Sequence, residues 1–108
     1  PFRDTRARVR EAQERAIAAI RPGVAASDVY AVARSFVDGR GVGDKFTHGL
    51  GHGIGLQTHE GPSLNPRNAT SLQPGMIVTV EPGLYYPEWG GVRWEYMVLV
   101  TEDGCRIL

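Results

Sequence analysis

Apolar positions recur at helical spacing over the first twenty residues. Val9, Ala12, Ala16, Ile17 and Ile20 fall on one face, and the stretch from about Phe2 to Ile20 is rich in Ala, Arg and Glu, which are good helix formers. One helix is expected there. Arg21-Pro22-Gly23 ends it, because proline cannot continue the hydrogen-bond ladder and glycine permits the turn. A second helix is expected from Asp28 to about Val37, with Val29, Val32, Ala33 and Phe36 inward. Ser27 is its expected N-cap, with Asp28 in the first turn. Gly39 to Gly43 closes it with a loop.

From Phe46 the texture changes. Gly49, Gly51, Gly53 and Gly55 alternate with Leu50, His52, Ile54 and Leu56. Each interior glycine costs a helix about 1 kcal/mol relative to alanine, so an extended segment is expected, with something approaching its backbone closely. Pro62 to Pro74 reads as a polar loop. Met76 to Val80 reads as a strand interrupted by Glu81-Pro82-Gly83. Leu84 to Tyr86 forms a short strand before the turn at Pro87 to Gly91, and Val92 to Val100 another. Glu102-Asp103-Gly104 is a hairpin signal, and Cys105 to Leu108 begins the return. Two helices followed by antiparallel strands give an α+β fold class. No internal repeat or interdomain linker interrupts the chain.

Composition narrows the picture. The chain has 108 residues, enough for one domain or part of one, and 42% of them are hydrophobic against 22% charged, which is ordinary for a packed globular chain. The formal net charge is +0, which argues against a phosphate-binding surface. Arg3, Arg6, Arg8 and Arg10 crowd the start, but Asp4, Glu11 and Glu14 are interleaved with them, so the pattern is a solvated helix face and no nucleic-acid partner is expected. A single cysteine, Cys105, allows no intrachain disulfide, which fits a reducing compartment. No apolar run approaches the ~18 residues of a membrane span. Cytoplasmic localisation is expected. The chain starts at Pro1 rather than Met, as expected of a processed, trimmed or incompletely represented chain.

The three histidines, His48, His52 and His59, lie close together among the glycines. His48 and His52 have the spacing of two ligands on a helix, but the glycines oppose a helix. His59-Glu60 starts like a zincin motif, yet Ser63 stands where the second histidine belongs. Gly49-x-Gly51-x-Gly53 lacks the third glycine of a dinucleotide site and no βαβ unit surrounds it. Two carboxylates sit in apolar surroundings: Glu81 ends the strand Met76 to Val80, and Glu95 lies between Trp94 and Tyr96. Side chains alternate along a strand, so Arg93 and Glu95 share a face with Met97 and Leu99. Either that face is inward and the charges are paired or bind a metal, or it is a solvent face and they are simply exposed.

These residues fall into three ordered motifs that together resemble one family. His48-Gly-Leu-Gly-His52-Gly-Ile-Gly-Leu-Gln-Thr-His59-Glu60-Gly-Pro62 resembles the histidine motif of Xaa-Pro aminopeptidases and prolidases, relatives of methionine aminopeptidase and creatinase. Leu72-Gln-Pro-Gly-Met-Ile-Val-Thr-Val-Glu81-Pro-Gly-Leu-Tyr85 resembles their first glutamate motif, and Gly91-Val-Arg93-Trp-Glu95 their second. Ala16 to Val24 is similar to the helix exit before them.

The resemblance implies the C-terminal half of the pita-bread metallopeptidase fold over residues 1–108. It also implies roles. His52, Glu81 and Glu95 would be metal ligands, Glu95 bridging two ions. His48 and His59 would contact substrate and assist proton transfer, and Arg93 would organise the same wall of the pocket. One imidazole among oxygen ligands suits a pair of divalent ions, Mn²⁺ first, with Co²⁺ or Zn²⁺ as alternatives. Two such ions about 3.5–4 Å apart can activate a bridging hydroxide for peptide hydrolysis. The implied activity is cleavage of the N-terminal bond of a peptide with proline in second position.

The family's other two ligands are aspartates on strands that precede the first helix, and Asp4, Asp28, Asp38, Asp44 and Asp103 do not match them. The chain alone is therefore expected to hold metals weakly or not at all and to be inactive, and to associate through an exposed half-domain surface, as a homodimer or with a partner. Tyr96-Met97 after Glu95 is closer to methionine aminopeptidases, whereas Arg93 and His59-Glu-Gly-Pro62 favour the Xaa-Pro branch. The alternative function is a non-peptidase relative, a creatinase-like amidinohydrolase or a degenerate binding domain.

Overall fold

The computed structural model describes residues 2–54 and 63–108. His59 and the rest of 55–62, with the role expected of His59, lie outside the described residues. Helix α1 spans Phe2–Ala19 and α2 spans Ala26–Gly39, followed by a single 3-10 turn at Gly43–Lys45. The strands are β1 (Gly53–Ile54), β2 (Ile77–Val80), β3 (Gly83–Tyr86), β4 (Gly90–Arg93), β5 (Tyr96–Val100) and β6 (Cys105–Ile107). Among the described residues they form an antiparallel four-stranded sheet in the order β1-β2-β5-β6 and a separate β3–β4 hairpin.

The helix stripe read from the sequence is the one that is buried: Val9, Ala12 and Ala16 of the first helix, with Ile20 just past its end, meet Ala26, Val29, Ala33, Phe36 and Val37 of the second. Ile17 packs against this core from its edge. The even-numbered positions of the sheet, Val78, Val80, Val98 and Val100, complete the core together with Leu84 and Val92. The other face of the sheet points away from it. The arginine-rich start is partly packed: the guanidinium groups of Arg6 and Arg10 lie 5.3 and 5.5 Å from the Trp94 ring centroid, a cation–π arrangement.

Two expectations need correction. Helix α2 begins two residues earlier than read, and its N-cap is Ala25, with no side-chain cap. The first-turn amides are satisfied by backbone instead. Ala26 N–H donates to the Thr70 carbonyl (2.8 Å) and Ser27 N–H to that of Asn68 (2.7 Å). The loop that follows residue 63 thus does the work of a capping side chain. Second, Val92 to Val100 is not one strand. The chain passes from the hairpin into the larger sheet at Trp94-Glu95, so β4 pairs with β3 and β5 with β2.

Gly39, in the last turn of α2, has open space where a Cβ would stand. Gly39→Ala is expected to raise stability by roughly 0.4–1 kcal/mol by restricting the unfolded chain. Urea melting of the two proteins checks this, and a loss of stability would contradict it.

Candidate active site

The segment before β1 runs antiparallel along β2. Glu81 N–H donates to the Leu50 carbonyl (2.7 Å) and Thr79 N–H to the His52 carbonyl (2.8 Å). The register continues as Gly53 with Val78. Residue 52 therefore stands opposite 79, and Glu81 is its diagonal neighbour on the same face, within reach of long side chains. On the other side, β2 pairs with β5 through Thr79 with Met97 and Val80 with Tyr96. That pairing ends at Val80 with Tyr96, one step short of Glu81 and Glu95. His52 and Glu81 thus share one face, the face turned away from the helices.

His52 is fixed first through its backbone. Its N–H donates to Thr79 Oγ1 at 3.0 Å, and the same hydroxyl lies 3.5 Å from the His52 carbonyl. The ring is then oriented by a 3.1 Å contact of Nδ1 with the Gly53 carbonyl. A carbonyl can only accept, so Nδ1 carries the proton, and in the neutral ring Nε2 offers its lone pair. That lone pair faces Glu81 Oε2 at 3.6 Å. In the neutral ring these are two acceptors aimed at one point, an arrangement that a cation completes. Donation from the remote ring nitrogen to a carbonyl is the usual support of a metal-ligating histidine. The residues present fit the metal chemistry that their types imply. Glu81 is only 16% exposed on its side chain, and its second oxygen lies 3.9 Å from an Arg93 nitrogen. The arginine thus approaches the oxygen that does not face His52.

Glu95 is exposed, so the solvent-face reading describes it; Arg93 is exposed as well but reaches Glu81. Among the described residues no group of three His, Cys, Asp or Glu side chains is close enough to hold a metal ion. Glu95 lies just before the first paired residue of β5, and its side chain does not join the other two.

His48 stands apart from that pair. Nδ1 makes a close contact with the Gly49 carbonyl, and Nε2 lies 3.3 Å from the Tyr85 hydroxyl. The same tautomer argument has Tyr85 donating to Nε2. The ring sits edge-on between Phe46 and Tyr85, with both centroids 5.5 Å away. A cleft of about 400 Å³ opens beside Tyr85, lined also by Lys45, Thr47 and Tyr86. A larger cleft of about 630 Å³ lies between the helices, at Arg15, Ala31 and Phe36. It contains none of the histidines or glutamates, so the chemistry and not the volume locates the site. Cys105 donates its thiol to the Ile17 carbonyl at 3.3 Å, and burial pushes its pKa up. That is the reverse of what a nucleophilic cysteine needs.

Tyr85 and Thr79 carry no role in the sequence reading, although both lie inside the quoted motifs. Their contribution is geometric, a hydroxyl on a neighbouring strand, which only the strand register reveals.

The result is an α+β scaffold, a helix-backed antiparallel sheet with an imidazole and a carboxylate on its open face, residue types that suit a divalent ion. Comparison with known proteins gives the family. Metallopeptidase family M24 matches residues 1–102, and the chain belongs to it. It is 47% identical over 100 residues to the Xaa-Pro dipeptidase of Pyrococcus furiosus, covering 93% of this chain and 29% of that protein. The solved prolidase from Pyrococcus furiosus superimposes with a TM-score of 0.93 at 45% identity, covering 97% of this chain and 31% of that one. A methionine aminopeptidase from Rickettsia prowazekii superimposes with a TM-score of 0.75 at 25% identity, covering 97% of this chain and 51% of that one. The fold is part of the pita-bread fold. The chain spans about 30% of the length of the Xaa-Pro relatives it matches. Despite Tyr96-Met97, similarity to the prolidase exceeds similarity to the methionine aminopeptidase.

Proposed function

We propose that this chain supplies one wall of a dinuclear metallopeptidase that hydrolyses the N-terminal Xaa-Pro bond of peptides. The observation that carries the proposal is the pair of converging acceptors, His52 Nε2 and Glu81 Oε2, at 3.6 Å. In this reading His52, Glu81 and Glu95 hold the ions, of which Mn²⁺ suits one imidazole among carboxylates. The ions would supply Lewis acidity and a water acidic enough to attack near neutral pH. Arg93 orients Glu81. His48, steadied by Tyr85, is placed to hold substrate and pass a proton. The complete site needs an aspartate-bearing segment upstream, and the 108 residues alone hold metals weakly and do not cleave.

The rest of the reading follows from that site. The substrate is a peptide with proline second. Met97 and Leu108 are about half exposed, which supports association through the open face of the sheet, with the upstream segment or a second copy. No helix among the described residues is long and apolar enough to cross a membrane. Together with the lone cysteine this supports a cytoplasmic enzyme.

The test compares metal content and Xaa-Pro cleavage for this chain and for a version extended by the upstream segment of its own gene. Two ions and cleavage only in the extended protein are expected. Metal binding without cleavage would keep the site and remove the substrate. An extended protein that binds no metal would remove both and leave the creatinase-like or binding-domain reading.

A further inference from the structure

Gln13 is a polar side chain in the middle of the buried stripe of α1, and it is 1% exposed. Its amide nitrogen donates to two carbonyls far away in sequence, Val80 at 3.2 Å and Trp94 at 3.1 Å. These are the residues immediately before Glu81 and Glu95. Each carbonyl belongs to the peptide unit whose nitrogen is the glutamate's own. A peptide unit is planar, so fixing its C=O direction fixes where the following N–Cα bond starts. The peptide between Val80 and Glu81 is held at both ends, since Glu81 N–H donates to the Leu50 carbonyl.

The location gives this contact its consequence. At 81–82 and at 94–95 the chain crosses between the four-stranded sheet and the β3–β4 hairpin, and the β2–β5 pairing ends at Val80 with Tyr96. Beyond that point no ladder bond ties one strand to the other until Trp94 N–H reaches the Pro82 carbonyl at 3.2 Å. One side-chain amide spans the gap.

We infer that Gln13 is a positioning residue, holding the Glu81 and Glu95 backbones in fixed relation so that both carboxylates can serve one metal site. It touches neither metal nor substrate. The inference rests on the proposed ligand roles of the two glutamates, and its test separates the two.

The test uses Gln13→Met, similar in length but unable to donate, in the extended protein, with Val9→Ala as a control destabilised on the same helix face. Loss of the clamp should weaken Mn²⁺ binding by roughly 10–100-fold, the range seen when supports of metal ligands are removed. Titration calorimetry on the metal-free proteins reads this. Val9→Ala should bind Mn²⁺ as the parent does, whatever its loss in melting temperature. Amide hydrogen exchange without metal should show faster exchange at Glu81 and Glu95 in Gln13→Met alone. Unchanged affinity, or equal losses in both variants, would overturn the positioning role. If the parent binds no Mn²⁺ yet exchange at the two glutamates responds to Gln13→Met, the clamp stands and the ligand roles fall. If exchange does not respond, the clamp falls. Should Gln13→Met fail to fold, Gln13→Asn, one methylene short of the carbonyls but still polar, takes its place in the same measurements.

Discussion

Glu81→Gln in the extended protein is expected to lower kcat/KM for an Xaa-Pro dipeptide by about 10³-fold or more, equivalent to roughly 4 kcal/mol of transition-state stabilisation. The substitution keeps the shape and removes the charge. Glu81 is the residue through which the site is joined, since one oxygen faces His52 and the other faces Arg93. A neutral amide cannot balance a divalent ion, and it leaves Arg93 beside an uncharged group. Its NH₂ would also turn a donor toward either Nε2 of His52 or the guanidinium, and only the first can accept. The metal content of the purified variant should fall with the activity. Glu88→Gln, in the exposed turn between β3 and β4, is the control and should leave both unchanged. A Glu81→Gln protein that kept two ions and full turnover would remove Glu81 from the chemistry.

His52 and Glu81, which the structure brings together, stand out in the sequence because their chemistry shows in residue type. Imidazoles among glycines and carboxylates in apolar runs are both anomalies, and an anomaly needs no structure to be seen. The helices were legible for a related reason: a stripe such as Val9, Ala12, Ala16 and Ile20 has one period that buries it. The strand break at Trp94-Glu95 was not. Val92, Trp94, Tyr96 and Val98 keep the same parity across it, so alternation runs on while the hydrogen-bond partner changes from β3 to β2. Nothing local marks a change of partner. The cap of α2 failed in the same way, because the groups that satisfy its first amides are carbonyls some forty positions on. Gln13 lies between the two cases. Its place on an apolar stripe is visible in the sequence, but its partners are backbone atoms of residues 67 and 81 positions away.

The glycine reading leads to the largest expected effect on stability. A Cβ built on Gly51 would overlap the Thr79 carbonyl and press on its hydroxyl. The obstacle is backbone of β2, a strand tied on both sides, by β1 and by β5. It cannot turn aside as a flexible side chain would. Gly51→Ala must therefore push the 50–54 segment off β2. That movement would break the Thr79 N–H bond to His52 and the Glu81 N–H bond to Leu50, together with the contact between His52 N–H and Thr79 Oγ1. Two buried ladder bonds at about 1 kcal/mol each, plus the overlap itself at about 1–3 kcal/mol, give an expected loss of roughly 3–5 kcal/mol. That is a large part of the ~5–15 kcal/mol that holds a domain together. Melting followed by circular dichroism should show either a large fall in midpoint or no cooperative transition. On the proposed metal roles the same change would also cost metal binding, because the atoms displaced are those that aim His52 at Glu81. A Gly51→Ala protein that folded nearly as stably as Gly39→Ala would mean that the strand yields, and that the spacing of His52 from Glu81 is not set by close backbone approach.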